Sequence, residues 1–132
     1  DDELHEGYVA AMEEKIKEID YNAYLQPRHQ NSKDRVDGRA GVAVMKPPMD
    51  LLTGNFLIIG TVVRKDAFQR VGGFRDIPIY EDWDLFIRIH QDGARHVTVD
   101  KAIYEINVME SSRNEAKELH ETWYQEIRKR YL

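Results

Sequence analysis

Residues 72 to 94 read GGFRDIPIYEDWDLFIRIHQDGA. Three carboxylates, Glu81, Asp82 and Asp84, surround one tryptophan, Trp83, at the point where an apolar helix is expected to begin. Carboxylates placed there can do two kinds of work. In the first turn of a helix each is stabilised by the backbone dipole by about 0.3–1 kcal/mol. In a cleft, a carboxylate can exchange a proton with a reacting group. Helix chemistry accounts for one or two of the three acids. It does not account for Trp83, Leu85, Phe86, Ile87 and Ile89 sitting directly on them.

The elements that must position this cluster follow from periodicity. Val9, Met12, Ile16 and Ile19 predict an amphipathic helix over 5–19, with Glu13, Glu14, Lys15, Lys17 and Glu18 on its wet side. Residues 21–27 suit a strand, 28–41 an exposed loop, and 42–45 a short strand stopped by Pro47-Pro48. The run 55–63, NFLIIGTVV, suits a strand buried on both faces. A short helix over 65–71 ends at Gly72, and a second covers 82–92 before Asp92-Gly93. Strands are expected at 95–99 and 102–109. A last helix covers 113–131, with the stripe Ala116, Leu119, Trp123 and Ile127, and Ser112 to Glu115 fits a capping box. This alternation indicates one α/β domain over 1–132.

Bulk composition narrows the function classes. With 132 residues, 42% apolar, 33% charged and a net charge of −5, the chain reads as a globular domain with a real core. The longest basic run is Arg128-Lys129-Arg130, which argues against a nucleic-acid partner. There is no cysteine, so disulfides, thiolate nucleophiles and cysteine-ligated zinc are excluded. No apolar run approaches the roughly 20 residues of a membrane span, and an acidic start is unlike a signal peptide. A cytoplasmic location fits these features. The five histidines, His5, His29, His90, His96 and His120, show no metal-ligand spacing. The opening on Asp1-Asp2-Glu3 without an initiator methionine suggests a piece of a longer chain.

The order of motifs resembles the second half of family 2 glycosyltransferases with the GT-A fold, over nearly the whole chain. In that family a D-x-D segment ends a strand and binds the divalent cation and the sugar nucleotide. A G-G-F segment follows downstream, then an E-D pair leading a helix that carries an arginine. Here DDELHEGYVAAM looks like the tail of the first motif, and VGGFRDIPIYEDWDLFIRI, with Arg88, looks like the second. The resemblance implies a GT-A-like mixed sheet flanked by helices. It also implies that a nucleotide-binding half lies on a preceding segment or on another chain.

That resemblance carries a mechanism. The family transfers a sugar from a nucleotide-diphosphate donor to an acceptor hydroxyl with inversion. By match to the E-D pair, Asp82 is the general base and Glu81 binds the acceptor or orients the base. A helix N-terminus would favour the Asp82 anion, while burial beside Trp83 would raise its pKa. Asp84 either faces solvent or pairs with Arg88, four residues on. Asp1 and Asp2 would hold Mn²⁺ or Mg²⁺, or else fray at a terminus. Gly72, Gly73, Trp83 and Asn55 would line the sugar site. Gly72 and Gly73 also fit a helix C-cap. Arg113 would stabilise the leaving diphosphate, although the capping box around it needs no such role. Two rival readings stand beside this one. In the first, a non-catalytic remnant binds a partner or pairs with a second copy through an exposed strand edge. In the second, the acids of an unrelated α/β domain merely cap a helix.

Overall fold

A computed structural model of the chain describes residues 3–31, 51, 60–106 and 117–131. The expected 42–45 strand, Asn55, the capping box at 112–115, Arg113, Asp1 and Asp2 lie outside the described residues. The described residues form β1 (Glu3–Leu4), α1 (Tyr8–Glu18), β2 (Ala23–Asn31), β3 (Val62–Val63), α2 (Lys65–Arg70), α3 (Glu81–Gln91), β4 (Arg95–Ile106) and α4 (Lys117–Tyr131). The sheet order is β1-β4-β2-β3. The β2–β4 pair is parallel, and both outer pairs are antiparallel. The fold is therefore mixed α/β, and among the described residues no helix is long and apolar enough to cross a membrane.

Alternation along β2 divides the core. Tyr24 points to one face and packs with Trp83, Leu85, Phe86, Ile87, Ile89 and Ile127. Ala23 and Leu25 point to the other and pack with Tyr8, Ala11, Met12, Val99, Ala102 and Tyr104. A strand with a period of two residues feeds two apolar layers in this way. The α1 helix covers one face, and α3 and α4 contribute to the other.

Two expected faces are rotated. On α1 the buried residues are Tyr8, Ala11 and Met12, while Val9 and Ile16 are 57% and 48% exposed. The small Ala11 lets the helix sit close to the sheet, and the Tyr8 hydroxyl donates to the Gly60 carbonyl. On α4, Ile127 is fully buried, Trp123 and Tyr124 are half-buried, and Leu119 is exposed. Periodicity located both helices and the inward Met12, Ile19, Trp123 and Ile127, but not the exposure of Val9, Ile16 and Leu119.

The two strands expected at 95–99 and 102–109 are one element through Ile106. In the ladder Pro27 is opposite Val99 and Arg28 is opposite Ile103, so Asp100, Lys101 and Ala102 have no counterpart. Pro27 has no N–H to give the ladder, and an irregularity beside it leaves no donor wasted. β2 runs through Pro27 to Asn31 instead of ending there.

Gly60 shows how tightly this face is built. A Cβ added there would lie 2.3 Å from the Tyr104 ring. Gly60→Ala is expected to destabilise the domain by about 1–3 kcal/mol through overpacking. Tyr104→Ala in the same chain should recover part of that loss. Urea unfolding of the two single variants and the double variant measures it, and strict additivity would count against the contact.

Polar groups also enter the sheet. The Tyr24 hydroxyl lies 2.9 Å from His90 Nδ1, and burial pushes its pKa up to about 12. His96 Nε2 lies 2.6 Å from Oε1 of the buried Gln26. Burial, and then the neighbouring His90, hold His96 below its ordinary value of 6.5. The unfolded chain therefore takes up this proton first as pH falls. The stability His96 contributes is complete above about pH 6.5 and is lost as pH falls through the lower folded value. Urea midpoints at about pH 5 and pH 7.5 should differ in that direction, and His96→Gln should flatten the slope.

Candidate active site

The loop before α3 starts from the end of α2. Gly73 N–H donates to Phe68 O at 2.9 Å and Gly72 N–H to Gln69 O at 3.1 Å, which closes the helix. Both glycines have positive φ, +89° at Gly72 and +69° at Gly73. A Cβ at Gly73 would meet the Phe68 ring at 3.1 Å, whereas Gly72 faces open space. Gly73 is thus held by packing, and Gly72 leaves bare backbone at the surface. Phe74 is 49% exposed and rests edge-on against Phe68, with centroids 5.5 Å apart.

The loop ends at Tyr80, whose φ of +64° is rare for a side chain of its size. Its carbonyl accepts the Asp84 N–H at 2.9 Å and opens α3. The Tyr80 ring meets Trp83 edge-on at 5.4 Å and His120 at 5.3 Å. The Tyr80 hydroxyl lies 3.0 Å from His120 Nδ1. Burial raises the Tyr80 pKa, and the nearby Asp82 charge adds to the rise.

The three acids of the first turn have three different surroundings. Glu81 is exposed. Asp82 is half-buried, and its Oδ1 accepts the Trp83 N–H at 2.8 Å. Asp84 is fully buried, with Oδ2 at 3.1 Å from Arg88 Nε and 2.9 Å from Arg88 Nη2. The Asp84–Arg88 pair anticipated from the i, i+4 spacing is present, and it is internal. Arg88 Nη1 also donates to Val71 O at 2.7 Å. The Tyr131 hydroxyl donates to Asp84 Oδ1. Burial and that bond raise the Tyr131 pKa.

Trp83 lies in the core. It is 0% exposed, its indole N–H donates to Leu51 O at 2.6 Å, and it stacks on Tyr124 at 5.5 Å. In this conformation it offers a ligand no surface. Its work is to seat the acid-bearing turn on the core. Leu51, Tyr124, Tyr131, Arg75 and His120 were not marked by any local pattern. Arg75 comes from the loop just before the turn, and the other four reach it from distant parts of the chain.

The topology gives the turn a defined address. The chain turns from α3 into β4 within Asp92–Ala94, and Arg95 N–H donates to Asn22 O at 2.9 Å. The C-terminal end of α3 therefore sits where β2 and β4 begin. An 11-residue helix runs about 16 Å, which sets Glu81 and Asp82 about that far from the turn into β4.

Two cavities lie elsewhere. One of about 360 Å³ is lined by Ile16, Ile19, Tyr21, Leu25, Val62 and Arg64 among others. One of about 220 Å³ lies between α1 and the irregular part of β4. Asp82 lines neither. Among the described residues no group of three or more acidic or histidine side chains could hold a metal ion. No protein-family model matches the chain, and no curated protein matches it at a significant level.

Proposed function

We propose that this domain is the acceptor-side, catalytic-base part of an inverting glycosyltransferase of the GT-A kind. The observation that carries this reading is the ordered series Gly72-Gly73-Phe74, Glu81-Asp82-Trp83 and Arg88, folded as one loop and one helix start. Supporting it, a half-buried Asp82 stands beside an exposed Glu81 in the first turn of α3.

In this reading the acceptor hydroxyl attacks the anomeric carbon of the donor. The bond from that carbon to the diphosphate oxygen breaks, and the nucleoside diphosphate leaves with the electron pair. Asp82 takes the hydroxyl proton, and Glu81 holds the acceptor. A Mn²⁺ or Mg²⁺ ion held through Asp1 and Asp2 would neutralise charge on the leaving diphosphate. Those residues, like Asn55 and Arg113, lie outside the described ones, so no step is assigned to them.

The test uses this domain together with the nucleotide-binding half that the resemblance implies, with UDP-, GDP- and dTDP-sugars, Mn²⁺ or Mg²⁺, and a panel of hydroxyl acceptors. Release of nucleoside diphosphate and an inverted anomeric centre in the product are expected. No release above the uncatalysed rate with any donor would count against the proposal.

A second reading, a non-catalytic module that binds a partner or a second copy, is favoured by the exposed Val9 on α1 and the exposed Ile16 that lines the 360 Å³ cavity. It predicts self-association in sedimentation that Ile16→Glu abolishes, with no binding of sugar nucleotides.

A further inference from the structure

The buried Asp84 carboxylate gathers more partners than a helix ion pair needs. Arg88 alone balances its charge, at 2.9 Å. Yet Tyr131 donates to its other oxygen from α4, and Arg75 Nη1 comes within 3.8 Å of that oxygen. Arg75 Nη1 also lies 3.4 Å from the Tyr131 hydroxyl. Arg88 in turn fixes the Val71 carbonyl at the start of the loop, at 2.7 Å. One carboxylate thus joins α3, α4 and two points on the chain between α2 and α3.

A surface i, i+4 pair contributes little to stability, and burying it is unfavourable unless its remaining lone pairs are satisfied. Stability alone therefore gives little reason to bury this pair and add a second guanidinium that is half exposed. What Arg75 and Tyr131 add is geometry. The loop has positive φ at Gly72 and Gly73 on one side and at Tyr80 on the other, with irregular backbone between. Arg75 sits inside it and ties it to a buried, immobile group.

We infer that Arg75 and Tyr131 are positioning residues, which hold the 72–80 loop and the Glu81–Asp82 turn in register through the shared Asp84 carboxylate. The effect on turnover rests on the glycosyl-transfer reading above; the effect on the loop does not. α4 thereby acts on the reactive turn from its last residues, without touching a substrate. Supporting groups of this kind keep a reacting side chain within about 0.5 Å of its productive place.

The test uses Tyr131→Phe, Arg75→Ala and the double variant in the full chain. Amide hydrogen exchange in 72–80 should accelerate about tenfold in each single variant, with exchange in 8–18 unchanged. The double variant should be little worse than either single one, because both act through one carboxylate. With UDP-glucose or GDP-mannose, whichever the wild type turns over, kcat should fall about tenfold at constant donor KM, and Arg75→Lys should restore part of it. Unchanged exchange in 72–80, or equal acceleration in 8–18, would overturn the inference. A wild type that turns over neither donor nor any other sugar nucleotide counts against glycosyl transfer, and exchange alone then decides the junction.

Discussion

On the glycosyl-transfer reading proposed above, Asp82→Asn is expected to lower sugar transfer about 10²–10⁴-fold, the usual contribution of a positioned general base. The substitution is close to isosteric. Its amide oxygen can still accept the Trp83 N–H that Asp82 Oδ1 accepts at 2.8 Å. The fold loses the favourable meeting of a charge with a helix N-terminus, about 0.3–1 kcal/mol. Thermal unfolding should therefore move by a few degrees at most while turnover collapses. Glu81→Gln, on an exposed side chain, should chiefly raise the KM for the acceptor. If the asparagine variant keeps wild-type turnover, Asp82 is not the base, and a helix-capping role is left for it.

Replacing Arg88 with methionine has the largest expected effect on stability, about 3–5 kcal/mol, the range for breaking a buried ion pair from one side. Methionine fills much of the same volume, so the loss is electrostatic and not a cavity. Asp84 would stay at 0% exposure with Tyr131 and a more distant Arg75 as its partners. The Val71 carbonyl would also lose its donor. Urea unfolding measures the change. Adding Asp84→Leu to Arg88→Met should recover much of it, because an apolar pair of similar size is often no less stable than the buried ions it replaces. A double variant as unstable as the single one would show that shape, not charge, sets the requirement.

Local chemistry was legible where one stretch of chain decides its own conformation. The α2 stop at Gly72 followed from the glycine pair, and the start of α3 at Glu81 lay within one residue of its expected place. The Asp84–Arg88 pair followed from four-residue spacing. What the sequence concealed was the choice among apolar faces. Val9 and Ile16 have the right spacing to be core, yet Tyr8 and Ala11 are buried in their place. That choice belongs to the partner surface, in particular the Gly60 carbonyl that receives the Tyr8 hydroxyl.

The candidate site was legible to the same extent. Glu81 and Asp82 open α3, within one residue of the helix start expected from the sequence. Trp83 was expected to contact a ligand, but its indole is spent on Leu51 O. A hydrogen bond across 32 residues leaves no local trace. The Tyr80–His120 contact, across 40 residues, is equally silent in the sequence.

The parallel seam between β2 and β4 bears on how this chain is made. Ala23 pairs with Arg95, about 70 residues later, which a ribosome adds in about 4–15 s. For that interval the first half of the molecule has emerged with half its central ladder unmatched. Strand pairing over such a distance is slow even once both strands exist. Newly made chains should therefore depend on chaperones, and expression at low temperature should raise the yield of native protein more than any surface substitution.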